Sequence, residues 1–240
     1  MKKTLKRILI GTGVLVAILA IVTGGFMVKM KSELKKMNVL ETKEVVHNIY
    51  SIKDSFVNMF LIRDTDSYVA IDAGNDVKVI RDNLKVLNIN PDKVAAVLLT
   101  HTDGDHTGAL RLFRNARIYL SKNEEQMING KKTKLLFFHN RLSTKEYILL
   151  GGVSIKAIMT PGHTLGSMSY LVNDTCLFVG DAFGLKNGKV DTPNKFFSSD
   201  MKTAILSFDK ISNLSDVEYI FTAHNGYTNN YKNAVNTRLN

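Results

Sequence analysis

Five ionisable residues of this chain of 240 stand at the ends of apolar runs: Asp72, His101, His163, Asp181 and His224. In α/β architectures ligands sit in the loops outside the strand ends, so polar residues at successive exits predict one edge where those loops converge. The densest group is His101-Thr102-Asp103-Gly104-Asp105-His106. Imidazoles and carboxylates are the side chains that hold divalent metals. A single such histidine reads best as a hydrogen-bonding residue. Four of the chain's six histidines, joined to the loop carboxylates, suggest a two-metal centre. A calcium loop around Asp103-Gly104-Asp105 does not fit, because the spacing misses the EF-hand pattern and no Glu closes it.

The surrounding pattern alternates strands and helices. Residues 56–62 and 68–71 read as a hairpin joined by Arg63-Asp64-Thr65-Asp66. Val77, Ile80, Leu84 and Leu87 recur at helical spacing behind Asn75-Asp76, an N-cap signal. The continuous apolar run 94–99 predicts a strand buried on both faces. A short helix is expected after the 101–106 loop, then strands at 117–120, 147–150, 153–159, 168–172, 175–179 and 217–221. Met201, Ala204, Ile205, Phe208 and Ile211 mark a helix capped by Asp200. Strands and helices in this mixture predict two sheets with helices outside them. Cys176, alone in an apolar run, reads as a core residue, and no disulfide framework exists.

The N-terminal end obeys a different constraint. From Ile8 to Val28 run 21 residues without a charge, enough helix to span a bilayer core of roughly 30 Å. Lys2, Lys3, Lys6 and Arg7 resemble a signal-peptide n-region. The apolar stretch exceeds a usual h-region, however, and only Gly24-Gly25 offers a weak cleavage site, so an uncleaved single-pass anchor is expected. The organisation expected is a basic flank at 1–7, an anchor at 8–28, a charged helical spacer at 29–40 and a globular domain at 41–240. Charge flanks both sides of the span; the free amino group and Glu33 favour an inside N-terminus, with the domain extracytoplasmic. The formal net charge of +10 resembles a nucleic-acid signal, yet residues 1–38 hold eight of the Lys/Arg and one acid. That basic tail suits a membrane surface, and no nucleic-acid partner is expected.

Taken together the motifs resemble those of the metallo-β-lactamase fold superfamily over residues 45–240. Asp72 in Val-Ala-Ile-Asp-Ala-Gly resembles the first motif, a buried Asp that supports the metal loop. Residues 101–106 resemble the signature H-x-H-x-D-H, and Thr-Pro-Gly-His-Thr-Leu-Gly-Ser at 160–167 the third motif. Gly180-Asp181 resembles the fourth and Ala-His-Asn-Gly at 223–226 the fifth. The resemblance implies an α/β fold, a four-layer αβ/βα sandwich, with two divalent ions in the cleft between the sheets, here preceded by one transmembrane helix. It places His101, Asp103 and His163 on the first metal, Asp105, His106 and His224 on the second, and Asp181 between them.

Asp103 departs from the pattern, which has a second His at that position. Three carboxylates against two divalent ions leave one positive charge where the usual set leaves two. The site is expected to be a slightly weaker Lewis acid whose harder oxygen ligand tolerates iron or manganese, with zinc still favoured by the imidazoles. The shorter Asp side chain also leaves the first ion looser or absent. The resemblance implies a metal-dependent hydrolase, with Asp105 also orienting the attacking water or accepting its proton. The expected substrate is a small molecule carrying an ester, lactone, thioester or phosphodiester bond. Two rival classes stay open: a di-iron redox protein of the same fold, and a membrane-tethered binding module with a degenerate site. Residues 121–148 read as a variable insert in which Lys131, Lys132, Lys134, Phe137, Phe138, His139 and Arg141 form either a lid for an anionic substrate or a solvated basic loop. Because the chain ends at Asn240, shortly after His224, a glutathione thioester is disfavoured, and His47 reads as a surface residue.

Overall fold

The computed structural model describes residues 2–124, 140–142, 147–237 and 239. These fall into two compact units, Met1–Met37 and Asn38–Asn240. The first unit is one helix, α1 (Lys2–Leu34). Within it Leu9–Leu34 has a mean hydropathy of 2.3 and is long and apolar enough, by length and composition, to cross a membrane. Its large apolar side chains, Leu15, Leu19 and Ile21 among them, are exposed. The helix runs beyond the uncharged stretch, and its last turn is tied by Glu33 to Lys29 at 2.6 Å and Lys36 at 2.8 Å.

The second unit is built on two sheets. The first contains β1 (Lys43–Val46), β2 (Ile49–Asp54), β3 (Val57–Arg63), β4 (Tyr68–Ile71), β5 (Val94–Leu98), β6 (Arg117–Ser121) and β7 (Asn140–Leu142), side by side in chain order. The second contains β8 (Tyr147–Leu150), β9 (Val153–Met159), β10 (Met168–Val172), β11 (Cys176–Phe178), β14 (Tyr219–Phe221) and β15 (Tyr227–Thr228). A separate two-stranded ribbon pairs β12 (Gly184–Lys186) with β13 (Lys189–Asp191). Inner faces meet in an apolar core of Phe60, Ile71, Leu98, Ile155, Tyr170, Phe178 and Phe221, among others. Cys176 lies in that core, as its apolar run predicts.

Each outer face is covered by helices, which completes four layers. Over the first sheet, α2 (Val77–Val86) buries Ile80 and Leu84, and Asp76 caps it by accepting from Lys78 N at 2.7 Å and Val79 N at 3.0 Å. Over the second, α4 (Met201–Ser212) buries Ala204, Phe208 and Ile211, and α5 (Tyr231–Val235) buries Tyr231 and Ala234. Asp200 caps α4 through Lys202 N and Thr203 N, as expected.

Several boundaries differ from the sequence reading. The short helix expected after the 101–106 loop is a 3₁₀ turn at Leu110–Leu112, and a further one, α3 (Gly104–Thr107), begins within the motif itself. The last apolar run forms strand only over Tyr219–Phe221, and β15 returns beside it. The 175–179 run pairs over Cys176–Phe178. β1, β2 and the β12–β13 ribbon carry no clean alternation; β2 gains its strand from a six-residue antiparallel register with β3.

The direction of the strands places the site. β4 and β5 are parallel, with Ile71 opposite Leu98, so Asp72 and His101 leave the first sheet at one edge. β11 is parallel to β14 and antiparallel to β10, which is antiparallel to β9. His163, Asp181 and His224 therefore all follow strands that run the same way. Cross-sheet bonds lock the edges together: Met168 N donates to Thr100 O at 2.8 Å and Tyr170 Oη to Leu99 O at 2.7 Å.

Core and surface positions of one helix should separate sharply. Ile80→Ala is expected to lower unfolding stability by about 2–5 kcal/mol. Val86→Ala, 71% exposed on the same helix, should change it by no more than about 0.5 kcal/mol. Urea unfolding of the full-length chain in detergent checks this, and equal losses would contradict the layer assignment.

Candidate metal centre

All seven side chains singled out as ligands come together. Three groups have ligand atoms within 4.8 Å of one another: His101, Asp103 and His163; His101, His106 and Asp181; and Asp105, His106 and His224. Asp181 lies between the outer two. Its carboxylate is 3.6 Å from His163 Nε2, 3.3 Å from His106 Nε2 and 3.1 Å from His224 Nε2. Asp103 takes its place in the first group despite being shorter than a histidine, with Oδ2 3.3 Å from His163 Nε2 and 3.6 Å from His101 Nε2. His47, by contrast, is exposed and takes no part in the cluster.

The turned-in edges of these rings are set by partners behind them. Asp72 holds a left-handed backbone conformation, φ 61°, which its short polar side chain tolerates better than most. Its Oδ2 faces His106 Nδ1 at 2.8 Å, and its Oδ1 accepts from Thr100 N at 2.8 Å. Thr100 Oγ1 also donates to this carboxylate, at 2.9 Å from Oδ2. A hydroxyl has one proton, so toward His101 Nδ1, 3.0 Å away, the Thr100 oxygen accepts. His224 Nδ1 donates to the Phe56 carbonyl at 2.6 Å, and His163 Nδ1 lies 3.4 Å from Ser198 Oγ. Nδ1–H donation leaves each neutral ring with its Nε2 lone pair facing inward.

Backbone packing permits these approaches. Gly180 takes φ +54°, and a Cβ there would stand 2.5 Å from Thr100 Oγ1. Only glycine lets the Asp181 strand exit press so close to the Thr100–Asp72 pair. The loop carrying His163 rests on α4 and on the segment that leads into it: Ser207 Oγ of the helix donates to Pro161 O at 2.7 Å, and Ser199 N, ahead of the helix, to His163 O at 3.0 Å.

This donor set fits divalent metal. His101 Nε2 and His163 Nε2 face one another at 3.2 Å, two lone pairs with no proton between neutral rings. His106 Nε2 and Asp181 Oδ1 are buried with no hydrogen-bond partner among the described residues. Acceptors pointed at acceptors need a cation, a proton or a metal. Without metal, protons fill that role. Burial opposes the charged imidazole of His106, but Asp72, Asp181 and Asp105 outweigh it and hold its pKa well above the ordinary range. His163 is raised against burial by Asp103 and Asp181, and His224 by Asp181. The His101 and His163 imidazoles beside it hold Asp103 well below the usual carboxylate range. Burial pushes Asp181 up, and His224 and His106 carry it well below that range all the same.

Thr100, Ser198, the Phe56 carbonyl and Glu124 support the cluster and were not singled out from sequence. Thr100 directly precedes the motif, a positional hint; the others are polar residues or backbone with no distinguishing pattern. Of the 121–148 insert, residues 125–139 and 143–146 lie outside the described residues, so Lys131, Lys132, Lys134, Phe137, Phe138 and His139 do too. Arg141 falls in β7.

The sequence model of the metallo-β-lactamase superfamily matches residues 52–224, and the chain belongs to that family. It is 32% identical over 142 residues to a probable polyketide biosynthesis zinc-dependent hydrolase of Bacillus velezensis, covering 57% of this chain and 60% of that protein. It is 27% identical over 182 residues to a hydroxyacylglutathione hydrolase of Vibrio campbellii, covering 75% of this chain and 65% of that one. The fold matches a metallo-β-lactamase family protein of Thermus thermophilus with a TM-score of 0.63 at 19% identity, over 80% of this chain and 78% of the other. The matches span about three-fifths to two-thirds of the length of these two relatives.

Two outcomes follow for the metal-free cluster. Asp72→Asn keeps size and backbone tolerance, but its one carbonyl cannot serve both Thr100 N–H and the His106 ring. Zinc affinity should drop by about 10–100-fold, read by competition with a chromophoric chelator; an unchanged affinity would contradict the anchoring role. Because the raised imidazole pKa values keep protons on the site, zinc uptake near neutral pH should expel them, and affinity should weaken as pH falls. Calorimetry in two buffers of different ionisation enthalpy should give different heats; identical heats would oppose this.

Proposed function

We propose that the chain is a metal-dependent hydrolase that binds up to two divalent ions, zinc foremost, through His101, Asp103, His163, Asp105, His106, His224 and the shared Asp181. The observation that carries this reading is the set of four Nε2 atoms and three carboxylates facing one another, an arrangement that only a cation, proton or metal, can reconcile. Names borne by relatives, a zinc-dependent hydrolase and a hydroxyacylglutathione hydrolase, point the same way. Ions in such a site supply Lewis acidity and make water a nucleophile at neutral pH.

The chain's own residues define how a substrate meets this centre. The His101 and His106 side chains are fully buried, whereas Asp103 is 42% exposed and Asp105 21%. Substrate therefore approaches from the carboxylate side. Asp105, at 3.5 Å from His224 Nε2, stands where it can orient a water or take its proton. Ser198 lies behind the His163 ring, at Nδ1, and Cys176 is in the inter-sheet core, so neither serves as a nucleophile. Water attack on an ester, thioester, lactone or phosphodiester matches this arrangement. Residues 8–28 would fix the enzyme to the membrane as a single-pass anchor, with the catalytic unit extracytoplasmic.

The test is turnover of four test compounds, one per bond type, by the full-length chain in detergent. At least one should be cleaved, the activity lost on chelation and restored by zinc. Turnover indifferent to chelation, or none from metal-loaded protein, would sink the reading. The oxygen ligand at Asp103 keeps the redox alternative in view. Asp103→His should raise zinc relative to iron and manganese in protein from identical expressions; equal metal content by elemental analysis would count against the charge argument, and native protein holding two irons would favour redox chemistry.

A further inference from the structure

Glu124 is a fully buried carboxylate, placed just after β6, that plays no part in the ligand cluster. Its two oxygens divide their contacts between two loops. Oε2 accepts from Thr102 N at 3.0 Å and from Thr102 Oγ1 at 2.6 Å. Oε1 accepts from Gly166 N at 3.0 Å and from the Thr164 hydroxyl. Thr102 sits between His101 and Asp103, and Thr164 follows His163. These three neighbours make up the first ligand group.

We propose that Glu124 is a positioning residue, a strut that sets the distance between the two loops holding the first metal ion. The claim rests on the metal-centre reading above. A carboxylate is the side chain this place requires, because all four contacts come from donors and two are backbone N–H groups that cannot reverse. Gly166 belongs to the same device. A Cβ there would stand 2.5 Å from Glu124 N and 2.8 Å from Oε1, so only glycine brings that N–H within reach. Asp181 reaches His106 and His163 from the ligand side, whereas Glu124 ties Thr102 to Thr164 and Gly166 from behind it. The second group, Asp105, His106 and His224, hangs on Asp72 and the Phe56 carbonyl instead. Loss of the strut should therefore affect one ion and spare the other.

Glu124→Gln preserves shape but offers only one acceptor oxygen. One loop keeps its bonds while the other meets an amide N–H2 against its own N–H. On the full-length chain in detergent, zinc titration against a chromophoric chelator should show one ion weakened by about 10–100-fold and the other within threefold of wild type. Amide exchange in metal-free protein should speed up in peptides covering 101–106 or 160–167 and stay unchanged in those covering the strands of the inter-sheet core. Cobalt substitution should alter the visible spectrum of the weakened ion alone. Unchanged affinities overturn the proposal, as does equal weakening of both ions with a lowered melting temperature, which marks a general structural role. Wild-type protein that takes up no zinc overturns the metal-centre reading and this proposal with it, and is told apart from failure of the strut by exchange rates measured without metal. Should Glu124→Gln fail to fold, Thr102→Val and Thr164→Val, each lacking one hydroxyl contact, replace it under the same criteria.

Discussion

Each of the four site imidazoles is held at Nδ1 by a group outside the cluster, and that grip turns every Nε2 toward the same small volume. Thr100, Asp72, Ser198 and the Phe56 carbonyl supply the four holds. The energetic consequence is severe: lone pairs and carboxylates gathered in a mostly buried space repel one another until a cation joins them. The fold supplies that confinement by pressing two sheets together. The Met168–Thr100 and Tyr170–Leu99 bonds keep their edges from separating.

Asp72 occupies the centre of this arrangement. It touches no predicted metal position itself, yet it fixes His106 directly and His101 through the single proton of Thr100. Its left-handed backbone is the cost of turning the chain at the end of β4 so that the carboxylate points across to β5. Glycine at 180 meets the same need from the second sheet. Function at such a site depends on groups that never meet substrate.

Much of this was legible in the sequence because strand exits are legible. The apolar run 94–99 and the alternating stretch 153–159 announce strands, and a histidine or aspartate just past each lies at a sheet edge. Periodicity and an Asp cap located α2 and α4 for the same reason. What stayed hidden depends on partners distant in the chain. β2 owes its strand to β3, and the 104–107 turn winds into a helix inside the motif because Asp72 and its neighbours hold it there, with Ala73 N bonded to His106 O at 2.8 Å. Glu124 looks like any acid after a strand until Thr102 and Thr164 close on it. Asp103 shows the opposite case: an anomaly plain in the sequence whose geometric consequence, a carboxylate still in reach of both histidines, needed the fold.

The claim on which all else turns is that two cations unite these side chains. A crystal structure of the zinc-loaded chain, with anomalous data collected on both sides of the zinc edge, addresses it most directly. The account predicts two peaks, one among His101, Asp103 and His163 and one among Asp105, His106 and His224, with Asp181 touching both. Zinc bound elsewhere, or a map without peaks at these rings, would contradict it.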